Sequence, residues 1–493
     1  MSIILTNKFK YYNSQIFKER FSLDSESMYV VLAKHQPWPN TDTPTDNELI
    51  PVSTVQEEIK NWNEIIAAKR ILPGDVGYVI KRHNWKTGTI YNKYSDDVSL
   101  EDYTDTDNSS NTDNPFYVVS NQKVYKCIDN ANGTASTVDP SSGSDATQTS
   151  GVITTSDKYI WKYMYSISNA DMNRWGTTLW IPVFDLTSDD SSNQWDVMKS
   201  AADGGVHRIT GSVVADDGKA VTLTGDGSGF AGTVRKTGSG ASEYAYVEVT
   251  NPGTGYKNVT AVNVAGNPVS GMRAILSPEG GHGWNARKEL CGHYLMMLVY
   301  FQNDEAANGG IFYDNDFRKL AIVRLPISKT STLGVPQNQD DISTTTNSIV
   351  EGEKYKTLVG DQRVGLKYSS VTGVADAATL ASKGKDVAIT QGDPITASGT
   401  IVHVDTTNNL IYILPDTGSD VFDNSTTLNC TIDSTASTVV LNSGVDKSDY
   451  DLLRYSGELI YLDYFLKDTA SDTPNFPVRA NNQTDKVDLV IEF

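Results

Sequence analysis

The residues best suited to metal or proton chemistry are six histidines, His35, His83, His207, His282, His293 and His403. None stands at i, i+2 or i, i+4 from another, so a metal site would have to be assembled wholly in space. The acidic run Glu101-Asp102-Tyr103-Thr104-Asp105-Thr106-Asp107 invites a calcium reading. An EF-hand counted from Asp105 puts Ser110 at the glycine position and Phe116 where a bidentate glutamate belongs, so it reads as a solvated loop. Gly225-Asp226-Gly227-Ser228-Gly229 lacks the Lys-Ser/Thr and the following helix of a phosphate loop, and reads as a turn. Gly280-Gly281-His282-Gly283 is turn-like too. Cys127, Cys291 and Cys430 are widely spaced and odd in number, which gives no disulfide framework and no zinc pair. No Gly-x-Ser-x-Gly elbow occurs, and 61 acidic residues do not single out a carboxylate pair for glycoside hydrolysis. Arg82-His83-Asn84-Trp85 reads as strand-end capping with Trp85 partly buried, or as a contact point. No catalytic, metal-ligating or cofactor-binding residue is assigned, and the expectation is a non-enzyme without a cofactor.

The scaffold has 493 residues, enough for two to four domains. Its net charge of −20 argues against a nucleic-acid surface and against adhesion to an anionic membrane. The longest compact apolar run, Tyr294-Leu295-Met296-Met297-Leu298-Val299-Tyr300-Phe301, is far too short to span a bilayer as a helix. Asn7, Lys8 and Lys10 interrupt any leader-like segment, so export is not expected. A 38% hydrophobic content with abundant Thr, Ser, Asn, Asp and Gly predicts many short strands joined by polar turns.

Along the chain, Phe9, Tyr12, Ile16, Phe17 and Phe21 predict a short amphipathic helix. Met28 to Ala33 predicts a strand that stops at Gln36-Pro37-Trp38-Pro39. Thr54 and Glu57 form a capping-box pair before a helix carrying Val55, Ile59, Trp62 and Ile66, which is expected to run to Pro73-Gly74. Strands are predicted at 76–82, at 116–119 and 123–128 as a hairpin, at 158–167 with Tyr159, Trp161, Tyr163 and Tyr165 on one face, and at 180–183. A further hairpin joins 399–404 to 410–414. Near the C-terminus, Leu459 and Tyr461 are expected on one face of a strand, with Ile460 and Leu462 on the other. Val487, Leu489, Ile491 and Phe493 alternate with polar residues as a half-buried strand.

Strands at the very end of a long chain need partners formed much earlier. The expected fold is mainly β: a discontinuous β-sandwich core with a few short helices near the N-terminus and inserted all-β domains. The core comprises 1–188 (with a polar loop region 96–155), 286–328 and 452–493, interrupted by β domains at 189–285 and 329–451.

Several motifs then stand in a familiar order. They are Gln36-Pro37-Trp38, Ile71-Leu72-Pro73, Val79-Ile80-Lys81-Arg82-His83-Asn84-Trp85, Val124-Tyr125-Lys126-Cys127-Ile128-Asp129, Tyr159-Ile160-Trp161-Lys162-Tyr163, Phe317-Arg318, Arg454-Tyr455-Ser456-Gly457-Glu458-Leu459-Ile460-Tyr461 and Gln483-Thr484-Asp485. In this order the chain resembles the dimeric baseplate wedge subunit, often numbered eight, of contractile-tailed bacteriophages. The resemblance covers 1–185, 285–327 and 452–493, and departs at the two inserts and at Asp463-Tyr464-Phe465. It implies a structural virion protein of the tail baseplate, assembled in the host cytoplasm. Such a protein would form a homodimer that bridges other wedge proteins to peripheral or tail-fibre-carrying ones, with no nucleic-acid partner and no membrane insertion. The Tyr- and Trp-rich strands leave a receptor- or carbohydrate-binding β protein of the phage tail as the alternative.

Overall fold

The computed structural model describes residues 6–23, 26–34, 54–100, 115–211, 217–237, 244–301, 317–326, 357–359, 364–384, 387–406, 409–416, 422–423, 427–442, 452, 456–464 and 485–493. His35, the Gln36-Pro37-Trp38-Pro39 stop, the 101–107 acidic run, Arg454-Tyr455 and Gln483-Thr484 lie outside these residues. The fold is mainly β, with short helices and several separate sheets, one of them a closed barrel. Two compact units are present: 1–16, 77–296 and 490–493 in the first, and 17–76 and 297–489 in the second. These bounds are drawn differently from the expected domains, because each unit takes part of the expected core together with one insert.

In the first unit, a four-stranded sheet runs in the order Tyr117–Ser120, Lys123–Asn130, Tyr159–Ser166, Ile153–Thr154. Its first hairpin pairs Ser120 with Lys123 across Asn121 and Gln122, whose φ angles of 48° and 59° suit a tight two-residue turn. Tyr125, Tyr159, Trp161, Tyr163 and Tyr165 are all at 0% exposure, so the aromatic periodicity marks a central strand pair rather than an open face. Three phenol hydroxyls donate to backbone carbonyls, Tyr125 to Ala146, Tyr159 to Thr134 and Tyr165 to Pro182. Those bonds satisfy hydroxyls that burial would otherwise strand. Trp180–Pro182 pairs with the end of Val76–Lys81.

The same unit holds the first insert. Ser192 caps the helix Asn193–Ser200 by accepting the Trp195 amide, so the β character starts only after this helix. Strand Val206–Gly211 pairs with Met272–Leu276. Between them lies a five-stranded sheet ordered Tyr244–Thr254, Ser228–Thr237, Ala220–Gly225, Val259–Val264, Asn267–Pro268. The two sheets share one core, in which Val206, Ile209 and Ala274 meet Val221, Phe230, Val234 and Val262.

The second unit contains a five-stranded sheet ordered Thr357–Val359, Ile65–Arg70, Met28–Ala33, Lys319–Arg324, Glu458–Tyr464. Strands hundreds of residues apart, such as Met28–Ala33 and Lys319–Arg324, are thus direct neighbours, and Tyr29, Val31, Ala68, Ala321, Val323 and Leu462 pack as one core. The second insert is a closed six-stranded barrel, Val364–Thr372, Leu410–Pro415, Ala397–Asp405, Ala388–Gln391, Leu428–Ile432, Thr435–Leu441. It is filled by Leu366, Ile389, Ile401, Ile411, Ile413, Leu428 and Val439.

Three local expectations are corrected. The helix capped by Thr54 spans only Val55–Asn63, and Ile66 belongs to the strand Ile65–Arg70. That segment is paired on both sides, with Met28–Ala33 and Thr357–Val359, and this pairing overrides the helical period, Ile66 itself falling in the bulge between Ala33↔Ile65 and Leu32↔Ala67. In the helix Asn7–Arg20, Tyr11 and Ser14 are the buried residues, while Phe9 and Tyr12 are 47% and 62% exposed. The inward face is polar because it receives a buried arginine. In the strand Glu458–Tyr464, the register slips between Ile322↔Tyr461 and Val323↔Leu459, leaving Ile460 unpaired. This bulge turns both Leu459 and Leu462 to the core and leaves Ile460 38% exposed. Val487 and Leu489 are buried between exposed Lys486 and Asp488, as the alternation requires.

Gly457 precedes the bulged strand. A Cβ there would lie 2.6 Å from the Arg324 carbonyl oxygen and 2.9 Å from the Pro326 nitrogen, both backbone atoms that cannot swing away. Gly457→Ala is expected to destabilise the second unit by about 2 kcal/mol, measured as a lower denaturant midpoint for that unit. An unchanged midpoint would mean that the approach to Arg324 is not a constraint.

Candidate functional site

The chemistry-bearing groups of the first unit converge on a helix of one turn, Ala286–Glu289. Asn285 caps it by accepting the Lys288 amide. Glu289 is 4% exposed and receives the Lys126 ammonium at 2.8 Å, the Gly283 amide at 2.9 Å and the Asn285 amide at 3.1 Å. Lys126 comes from the strand Lys123–Asn130, and its Nζ also lies 4.2 Å from the centre of the Tyr94 ring. Directly opposite it in the sheet is Lys162, also almost fully buried. Like charges paired across strands repel. Here they are separated by giving each its own acceptors, since Lys162 Nζ donates to the Thr149 and Gly151 carbonyls at 3.1 and 3.0 Å. Burial, opposed by Glu289, lowers the Lys162 pKa to about 8. Burial likewise lowers that of Lys126, again against the pull of Glu289.

His207 and His282 border this group, with ring centres 5.1 Å apart. Arg208 donates to the Tyr94 carbonyl at 2.5 Å, and the His282 ring meets Tyr94 edge-on at 4.8 Å. These groups hold backbone carbonyls and amides in place around the two imidazoles.

The other long side chain of the same helical turn is Arg287, 1% exposed. It donates to the Gly292 carbonyl at 2.9 Å, to Asp185 at 2.9 Å, to the Tyr11 carbonyl at 3.1 Å and to the Ser14 hydroxyl at 2.5 Å. Its guanidinium centre sits 3.5 Å from the middle of the Tyr78 ring. A fork of this kind uses most of its donors on fixed acceptors and fixes four chain segments at once.

Asp157 is a third anchor. It accepts from the Thr137 and Val138 amides at 2.8 and 2.9 Å, from the Ser136 and Thr155 hydroxyls, and weakly from the Tyr159 amide. Burial pushes its carboxyl up, but the Thr155 hydroxyl and these amides together hold it below the usual range. Ser136 in turn accepts the Trp85 indole at 3.1 Å, while Arg82 donates to the Thr177 carbonyl at 3.0 Å. His83 rests edge-on against Tyr117, and burial followed by Lys81 lowers its pKa to about 4.

In the second unit, Glu64 ends the helix Val55–Asn63 between two buried lysines. Lys319 lies at 2.6 Å and Lys34 at 3.3 Å, and Lys319 also donates to Asn61 at 2.6 Å. Burial would raise the Glu64 carboxyl, but Lys319 and Lys34 hold it below its ordinary value.

Of the histidines weighed in the sequence, His207 and His282 are brought together. His293 stacks on Tyr294, and His403 lies beside Tyr412 in the barrel. All three cysteines are buried, and none is in a disulfide. Among the described residues, no group of three or more His, Cys, Asp or Glu is arranged to hold a metal ion. Asp226 closes its glycine-rich turn by accepting the Lys257 and Asn258 amides at 2.9 Å. Lys126, Lys162, Arg287 and Glu289 were not singled out beforehand. The available signal was a lysine inside each of two otherwise apolar strands, Val-Tyr-Lys-Cys-Ile and Ile-Trp-Lys-Tyr-Met.

Removing one partner of a buried ion pair leaves the other charge uncompensated, at a cost of about 3–5 kcal/mol. Glu289→Gln is expected to destabilise the first unit by that order, and Glu289→Gln combined with Lys126→Met to recover much of it, as read from denaturant unfolding. Additive losses in the double variant would mean that the two residues do not act as a pair. Comparison with protein-family models and with curated proteins finds no match for this chain.

Proposed function

We propose that the chain is a non-enzymatic structural subunit of a bacteriophage tail baseplate wedge, working as a homodimer. It would link other wedge proteins to peripheral or tail-fibre-carrying ones, with the inserts as added contact modules. The observation that carries this reading is the pairing of the segments on which the resemblance rests. The Val124–Asp129 and Tyr159–Tyr163 motifs are cross-strand neighbours through Tyr125↔Tyr163 and Cys127↔Trp161. Phe317-Arg318 leads into the strand Lys319–Arg324, which pairs with Glu458–Tyr464. Motifs on which the resemblance rests are thus spatial partners within each unit, which supports the reading. Buried charges that engage one another, rather than converging on an open cleft, favour a scaffold over a catalyst.

The alternative, a receptor- or saccharide-binding protein, draws on Tyr244 and Tyr246, whose rings lie 6.0 Å apart on the first insert. Light scattering on the purified chain is expected to give twice 53.8 kDa, and intact particles are expected to contain the chain in their tails. A trimer that binds glycans on an array would favour the alternative. A chain missing from purified particles would sink both readings.

A further inference from the structure

The first insert is entered and left at one spot. Val206–Gly211 opens it, Met272–Leu276 closes it, and Leu276 lies opposite Val206. His207 stands at the start of the opening strand and His282 just past the closing one, their rings 5.1 Å apart at 80°. Both Nδ1 atoms are buried without a hydrogen-bond partner among the described residues, and His282 is only 2% exposed. The groups that face the pair come from every neighbouring element. They are Lys126 and Lys162 of the hairpin sheet, Arg208 of the opening strand, and Tyr94, while Glu289 of the helical turn accepts the amide of Gly283, the residue after His282, and pairs with Lys126. A proton on either imidazole would therefore be added beside the buried Lys126 and Lys162 ammonium groups.

We propose that the His207–His282 pair is an acid-sensitive clasp, whose protonation frees the two ends of the insert from the hairpin sheet while that sheet stays paired. Burial, then Lys162 and Lys126, brings His207 to about 4, and burial, then Lys126, holds His282 well below the ordinary histidine value. The folded-state values lie below the unfolded one, so the stabilisation is complete above pH ~6.5 and is lost as pH falls toward ~4.

Hydrogen exchange of the full chain between pH 7.5 and 4.5, corrected for intrinsic exchange rates, tests this. The opening equilibrium of 206–211 and 272–283 is expected to rise below pH ~6.5, by up to about tenfold per pH unit for each imidazole that takes up a proton. Protection of 123–130 and 159–166 is expected to persist. His207→Gln, at a half-buried position, should remove one imidazole's share of the slope, and His282→Gln the other's. His83→Gln should leave the slope of these segments unchanged, since His83 packs on Tyr117 elsewhere. If His282→Gln does not fold, His207→Gln decides alone. An unchanged slope in His207→Gln, a flat profile in the parent chain, or simultaneous loss of protection in all four segments would each overturn the proposal.

Discussion

The first unit depends on the burial of two opposite charges on a single turn of helix. Arg287 and Glu289 are two residues apart, so they leave the turn in different directions. One reaches Tyr11, Ser14, Asp185 and Gly292, and the other reaches Lys126 and the Gly283 and Asn285 amides. A helix this short has no stability of its own. It persists because the segments it joins fix both side chains, and those segments keep their positions because the turn supplies the counter-charge. The arrangement is cooperative, since loss of the Glu289 charge strands the buried Lys126, and loss of Arg287 takes the donor from the buried Ser14 hydroxyl and leaves half-buried Asp185 without its counter-charge.

The second unit repeats the carboxylate half of this device. There one carboxylate, Glu64, lies between Lys34 and Lys319, contributed by the ends of adjacent strands. In both units a carboxylate at the end of a helix meets lysines projecting from sheet strands. Such pairs add little net stability over well-packed apolar groups, but they penalise any register that separates them. That selectivity suits sheets whose neighbouring strands lie hundreds of residues apart in the chain.

Much of the β architecture was legible because strand periodicity is local. The Asn121-Gln122 hairpin, the aromatic strand Tyr159–Ser166 and the alternation of Val487 and Leu489 all follow from residue type and spacing. The Thr54 cap was equally clear, because capping is decided within four residues, whereas the helix end was not. Ile66 continues the helical period, but the strand it belongs to has sheet partners on both sides, and partners are not written into the local pattern. Ile460 was assigned by strict alternation, which a one-residue bulge breaks. The buried charges were the least visible. A lysine in a strand reads as a solvent-facing residue until its counter-charge is known, and Glu289 lies 163 residues from Lys126.

The barrel of the second insert closes by pairing its first strand with its last, Tyr368 opposite Leu441, and the Asn442 amide donates to the Lys367 carbonyl. Its entrance and exit therefore lie side by side. A closed ring of strands offers no free edge for a neighbouring chain to extend, and its core is complete without the host sheet. An element with adjoining ends and a private core can be gained, lost or exchanged as a cassette, with only its two connecting segments renegotiated. Its outward loops can then diversify at a different pace from the sheet that carries it.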